Sequence, residues 1–234
     1  VVSVPQMTVD VDQVVPRYLG VRTGEPGGTG PAGDPAAHDR VRRHIEVAGR
    51  REPGTTTVEV TSTASGNLEI VIVADDMPLL VEAVLATVES WALTVDGIDH
   101  PVMPVVRDDA GVLTEVGEGP SAISESWIYV RALAAKTGID ASGFRDGLIP
   151  VIARVADVHR DFEQTRTTLT DCADGFADAP IDAAERDEYV RLLKWFAGPQ
   201  LTLLGHEFAP AGAEGVGDRL GVWRADGIAA PGHA

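Results

Sequence analysis

One stretch of the hydrophobic pattern organises the rest of the chain. Residues 67–74 (NLEIVIVA) form a nearly unbroken apolar run with β-branched residues in its middle. A run of this length and type predicts a central strand that is buried on both faces. We expect Asp76 to cap the following helix and Pro78 to lie in its first turn, where a missing N–H has no partner. Apolar residues then recur at spacings of four, four and three, which marks one face of a helix: Leu80, Val84, Val88 and Trp91.

Other stretches have the pattern of β-strands. Residues 55–63 alternate and are rich in Thr and Val, so they predict a half-exposed strand that forms a hairpin with the central one. Residues 93–106 are also strand-like, but two prolines each remove a donor from the ladder, which predicts an edge, bulged or bent strand. A return strand and a strand with Trp127 and Tyr129 on one face follow, at residues 112–116 and 126–130.

Helical periodicity dominates the remaining segments. Residues 11–19 predict a short helix interrupted at Pro16, and residues 37–51 predict a basic helix whose five arginines pair with carboxylates elsewhere. A long helical region begins at Ala141 and ends near residue 180. Asp182 is typical of the N-cap of a last helix, whose predicted apolar face consists of Tyr189, Leu192, Leu193 and Phe196.

These elements predict an α+β fold in which a sheet packs against helices. We divide the chain into four segments. Residues 1–54 hold an N-terminal helix and a Gly/Pro-rich loop, which we expect to be mobile, at 23–35. Residues 55–136 form the α+β domain, and residues 137–198 form a helical segment. Residues 199–234 begin a second β-containing unit with strands at 201–208 and 220–224.

Composition limits the classes of partner. The 234 residues include 19 basic and 36 acidic ones, a formal charge of −17, which argues against nucleic acid or an anionic membrane as a partner. No apolar run approaches the roughly 20 residues that cross a bilayer. The first twelve residues lack the basic start of a secretory signal, so we expect a cytoplasmic protein. Cys172 is the only cysteine, and we expect it to be a buried, unreactive thiol on a helix.

Candidate chemistry is sparse. The six histidines form no HxH or HExxH pattern, so we expect no metal site, and no serine lies in a GxSxG elbow. The Gly/Pro-rich loop has no GxGxxG that follows a strand, so we expect no dinucleotide site there, and we predict no catalytic residue. The acidic pair Asp108-Asp109 is explained by a turn. The pair Asp75-Asp76 leaves two interpretations open: a helix cap, or a loop whose backbone donors at a helix start bind the carboxylate of a small amino acid.

Four segments together resemble one family. DDMPLLVEAV resembles the family's DDMPFLVDSV, HPVMPVVRD its HPVLRVRRD, and ESWIYV its ESWIHV. LLKWFA, followed by LTLLGHEF, resembles its LLRWLADDHFTFLGYREY. These segments are residues 75–84, 100–108, 125–130, and 192–197 with 201–208. The family is the large NAD-dependent glutamate dehydrogenases of bacteria, whose chains are several times longer.

The resemblance implies an N-terminal, non-catalytic segment with ACT-like domains, which are ferredoxin-like α+β modules that often bind amino acids. It places a candidate effector loop at Asp75, Asp76, Met77, Pro78 and Leu79. It implies a regulatory and assembly role within an enzyme that converts L-glutamate and NAD to 2-oxoglutarate, ammonia and NADH. NAD is then the cofactor of the parent enzyme, and this segment alone is expected to need no cofactor and to be inactive.

The implied partners are the rest of the parent chain, further copies in a homo-oligomer and an amino-acid effector. An alternative is an interaction scaffold without a small-molecule ligand, which uses the face of Trp127 and Tyr129 or an edge strand. The predicted strand order, with its leading hairpin, departs from a plain βαββαβ unit, and the candidate loop lacks glycine.

Overall fold

The computed structural model describes residues 9–22, 35–135, 138–176, 179–207 and 218–224. They fall into two compact units, Val1–Ala153 and Arg154–Ala234. Nearly all of the predicted Gly/Pro-rich loop, at residues 23–34, lies outside the described residues, as does Phe208 at the end of a predicted strand.

The elements follow the predicted order. The helices are α1 (Val11–Arg22), α2 (Pro35–Ala48), α3 (Leu80–Ser90), α4 (Ala141–Gly175) and α5 (Ala183–Phe196). The strands are β1 (Thr57–Ser62), β2 (Leu68–Asp75), β3 (Leu93–Asp99), β4 (Val102–Arg107), β5 (Leu113–Val116), β6 (Ile123–Ala134), β7 (Gly205–Glu207) and β8 (Arg219–Gly221). This mixture of helices and antiparallel strands confirms the predicted α+β class.

The sheet of the first unit is antiparallel and has β2 and β6 at its centre. Its order is β1-β2-β6-β4-β5, and β3 also pairs with β6. β3 and β4 follow one another along the same edge of β6, with a break at His100 and Pro101, so the stretch with two prolines is bent as predicted. The sheet departs from a βαββαβ unit at one edge. In such a unit the last strand pairs with the outer side of the first core strand, whereas here β1 takes that position beside β2.

The two N-terminal helices, α1 and α2, cover one face of the sheet. Alternation along β2 and β6 directs Val71, Val73, Trp127 and Tyr129 to this face, where they join one core cluster with α1 and α2. Trp127 is fully buried and Tyr129 is 7% exposed. The chain's own helices therefore already cover the face of Trp127 and Tyr129.

The opposite face carries the alternate residues of the central strands. Leu68, Ile70 and Ile72 of β2 and Ile128 and Val130 of β6 are fully buried there. The predicted face of α3 is buried as well, and its C-terminal Trp91 packs edge-on against Phe144 of α4 at a ring-centroid distance of 5.4 Å. The central strand is thus buried on both faces, as its apolar run predicted.

Three local predictions are wrong for identifiable reasons. α1 continues through Pro16, because burying four side chains at about 1.5–3 kcal/mol each outweighs a proline cost of about 3 kcal/mol. Asp76 does not cap α3, whose N-cap is Leu79, since the Asp76 carboxylate bonds to Ser126 instead. Cys172 is exposed, because only the neighbouring Ala173 turns inward at this end of α4.

The second unit contains the C-terminal part of α4, then α5 and the short β7–β8 pair. Asp161, which is 2% exposed, accepts bonds from the backbone N–H of Gly221 at 2.8 Å and from Nη2 of Arg224 at 2.8 Å. These bonds attach β8 to α4. Asp182 is the N-cap of α5 as predicted, and no residue of α5 is buried.

Candidate functional site

The five residues of the candidate loop lie where β2 ends and α3 begins. Asp75 is the last residue of β2, and the other four form the connection. Asp76 and Pro78 are exposed, whereas Met77 is only 9% exposed and anchors the loop. The loop therefore presents the Asp76 side chain to solvent, beside the start of a helix.

Asp75, whose side chain is 45% exposed, lies at the edge of an ion cluster whose other members are buried. Its Oδ1 lies 2.7 Å from Nη2 of Arg51, and its Oδ2 accepts the backbone N–H of Gly54 at 3.0 Å. The same Nη2 of Arg51 donates to Oε1 of Glu125 at 2.6 Å. Arg107 donates to both oxygens of Glu125, at 2.7 and 2.9 Å. Two guanidinium groups and two carboxylates thus balance in charge at the end of β2.

Glu125 is the centre of this cluster. Its side chain is fully buried and accepts bonds from Arg51, Arg107 and Nε1 of Trp127. Burial acts to raise the pKa of Glu125, but the hydrogen bonds from Arg107 and Arg51 outweigh it and hold the pKa below its usual value. Glu125 is therefore a structural carboxylate, since a general acid would need the opposite shift.

Asp76 belongs to a second polar group next to the first. Ser126 Oγ donates to Asp76 Oδ1 at 2.6 Å, and His100 Nε2 lies 3.0 Å from the same hydroxyl. Because the hydroxyl proton is used on Asp76, Nε2 of His100 must be the donor to Ser126. Burial lowers the pKa of His100, and the charges of Asp76 and Glu82 oppose that shift.

This second group contains Ser, His and Asp but is not a hydrolase triad. In a triad the serine donates to the histidine, which then removes its proton. Here the serine donates to the aspartate and receives from the histidine, and Ser126 is fully buried. The arrangement fixes the position of Asp76 and does not produce a nucleophile.

The start of α3 has an unusual backbone. Leu79 has φ of 66°, in the left-handed region, although it is not glycine. Its side chain accepts no bond from the first turn, so the amides at the start of α3 have no side-chain cap. An exposed carboxylate and an uncapped helix start therefore stand next to each other, and together they match the ammonium and carboxylate groups of an amino acid.

Sequence reasoning missed the residues that hold the loop: Arg51, His100, Arg107, Glu125 and Ser126. Four of the five were nevertheless inside the quoted motifs, which meet in space at this corner. Asp76 of the first motif accepts a hydrogen bond from Ser126 of the third. Asp75 of the first motif is joined to Glu125 of the third through Arg51. His100 and Arg107 of the second motif bond to Ser126 and Glu125, respectively. Only Arg51 lay outside the motifs.

The described part of the chain contains neither a candidate metal centre nor a candidate membrane-spanning helix. No group of three or more His, Cys, Asp or Glu side chains there has a geometry that suits a metal ion. No described helix combines the length and apolar character needed to span a membrane.

Comparisons with known proteins bear on the same region. Residues 37–142 match the family described as "Glutamate dehydrogenase, ACT1 domain". The chain is also 26% identical over 147 residues to an NAD-specific glutamate dehydrogenase of Halomonas elongata, an alignment that covers 59% of this chain. It covers only 9% of that relative's length. The predicted resemblance to the N-terminal ACT segment of the NAD-dependent glutamate dehydrogenases is confirmed by these two matches.

Proposed function

We propose that this chain is a regulatory and assembly segment of an NAD-dependent glutamate dehydrogenase, and that it binds an amino acid at the corner between β2 and α3. NAD and the oxidation of L-glutamate belong, in this proposal, to other parts of the parent protein. The ACT1 match supports the regulatory role. The observation that carries the site is the exposed Asp76 carboxylate beside an uncapped helix start.

The corner offers two complementary charges to a zwitterion. Asp76 uses Oδ1 for Ser126, and no described residue bonds its Oδ2, which can accept an ammonium group. The first-turn amides of α3 lie at the positive end of the helix dipole, which favours a carboxylate. Asp75 takes no direct part, since Arg51 and Gly54 already occupy its oxygens.

Calorimetric titration of the chain with a panel of L-amino acids tests the site. We expect saturable heat for at least one amino acid and none for its methyl ester, which lacks the carboxylate. Asp76→Asn should abolish the heat, because it removes the charge that binds the ammonium group. Asp109→Asn is the matched control, since it changes the exposed second acid of the turn pair. Silence across the whole panel would contradict amino-acid binding.

A dehydrogenase assay tests whether catalysis belongs to other parts of the parent protein. With L-glutamate and NAD, the isolated chain should form no NADH, because no GxGxxG follows a predicted strand and neither of its lysines, Lys136 and Lys194, lies in a glutamate-binding context. Turnover above the blank would refute the assignment of catalysis to other parts of the parent protein.

A further inference from the structure

The last helix, α5, has eight apolar residues among its 14 and yet has no buried residue. Tyr189, Leu192 and Trp195 are 41%, 46% and 48% exposed. A helix of 14 residues is marginal in water unless one of its faces packs against something. α5 therefore has more apolar surface than its own unit covers.

The side of α5 that packs within the unit is identifiable. Arg186, Val190 and Leu193, with the C-cap Ala197, have reduced exposure, and their spacing of four, three and four places them on one face, with the half-buried Phe196 to one side of it. The opposite face carries Ala184, Glu188, Arg191 and Trp195, again at four, three and four, with Leu192 beside them. This second set, which we call the outer stripe, has the spacing of a coiled-coil seam, but two charged residues occupy its centre and Trp195 is its one large apolar member.

The outer stripe is complementary to itself. If two copies of α5 pair in antiparallel orientation about a two-fold axis between Tyr189 and Val190, Glu188 of each copy faces Arg191 of the other. The same axis sets the small Ala184 opposite the large Trp195, twice. Within the described residues, neither Glu188 nor Arg191 forms an ion pair, so both charges are available. A parallel pairing would instead set like charges against each other.

We propose that the outer stripe of α5 is the docking surface for α5 of a second copy of this chain, in antiparallel orientation. The proposal rests on the assembly part of the proposed function and not on amino-acid binding. The stripe spans only about three turns, so it buries less than the roughly 800 Å² per partner of a standard interface. The association should accordingly be weak, with a dissociation constant in the micromolar range.

Sedimentation velocity of the 234-residue chain over a range of concentrations tests this interface. We expect the mass to rise from that of one chain to that of two. Glu188→Arg should weaken the association roughly tenfold or more, because each copy then sets two positive groups face to face. Arg191→Glu should do the same, and the double variant with both changes should restore the dimer. Glu115→Arg, on an exposed position of β5, is the matched control for net charge.

Circular dichroism checks that each variant keeps its helix content, and restoration by the double variant separates an interface effect from misfolding. A strict monomer at every concentration would overturn the proposal. So would a dimer that is indifferent to both single changes. Either result leaves the calorimetric test of the β2–α3 corner intact, so the failure of this interface and the failure of amino-acid binding are distinguishable.

Discussion

At the scale of single residues, Glu125 shows how much one buried charge can depend on its partners. Glu125→Gln keeps the shape of the side chain but leaves Arg51 and Arg107 short of one negative charge in a dry environment. Removing one member of a buried ion pair costs about 3–5 kcal/mol. We expect that loss in the free energy of unfolding, measured by urea denaturation.

Glu118→Gln is the control for this change. Glu118 also pairs with an arginine, Arg17, but its side chain is 78% exposed, and surface pairs contribute at most about 1 kcal/mol. If the two variants lose equal stability, the buried cluster does not have the role assigned to it.

A second residue, His44, makes stability depend on pH. His44 is fully buried, stacks on Trp127 and bonds to Tyr18, and burial lowers its pKa to about 3. Between about pH 6.5 and this value the unfolded chain binds a proton on this residue and the folded chain does not. The free energy of unfolding should therefore fall as pH falls through this window, by up to about 1.4 kcal/mol per pH unit.

The measurement is the unfolding free energy at pH 6.5 and pH 5, where few carboxylates titrate, for the wild type and for His44→Gln. We expect His44→Gln to have a lower free energy of unfolding at both pH values. This free energy should, however, lose the part of its pH dependence that comes from protonation of His44. The ring resonances of His44 in NMR spectra should also stay unchanged down to pH 5. A ring that titrates near pH 6.5 in the folded protein would contradict the assignment.

At the scale of elements, the connection from β2 to α3 depends on one backbone conformation. Leu79 has a positive φ, which costs a residue with a Cβ about 1–2 kcal/mol and costs glycine almost nothing. Leu79→Gly and Leu79→Ala both remove the leucine side chain, so their comparison isolates the backbone. We expect the Gly variant to be more stable than the Ala variant by roughly 0.5–1 kcal/mol in thermal unfolding. Equal stability would mean that Leu79 does not require the left-handed region.

The elements also show what the sequence can and cannot predict. The periodicity and composition of the sequence were enough to predict β2, the bend between β3 and β4, and the Asp182 cap, because each of these depends on residues that are neighbours in the sequence. The cap of α3 could not be predicted, since it depends on a bond from Asp76 to Ser126, fifty residues away. The same holds for the ion cluster, in which Arg51 meets Glu125 only through the sheet. Long-range polar pairing leaves no period in a sequence.

At the scale of the molecule, the helices α1 and α2, which pack on one face of the sheet, decide at which residue an independently folding fragment can begin. α2 contributes Ala37, Val41, Ile45 and Ala48 to the same core as Trp127, and Arg51 follows directly after it. The family match likewise begins at residue 37, before the first strand of the sheet. A unit that starts with β1 would expose this core face and leave Glu125 without one of its two arginines.

We therefore expect a fragment of residues 55–136 not to fold by itself, whereas a fragment of residues 1–153 should fold cooperatively. Near-ultraviolet circular dichroism of the buried Trp127 and thermal unfolding measure the difference. The shorter fragment also ends before α4, so residues 55–153 form the decisive intermediate. They restore Phe144, Leu148 and Ile152 but not the N-terminal helices. If residues 55–153 unfold in a cooperative transition with a fixed tryptophan environment, α1 and α2 are accessory; if they do not, the N-terminal helices are an integral layer of this ACT-like domain.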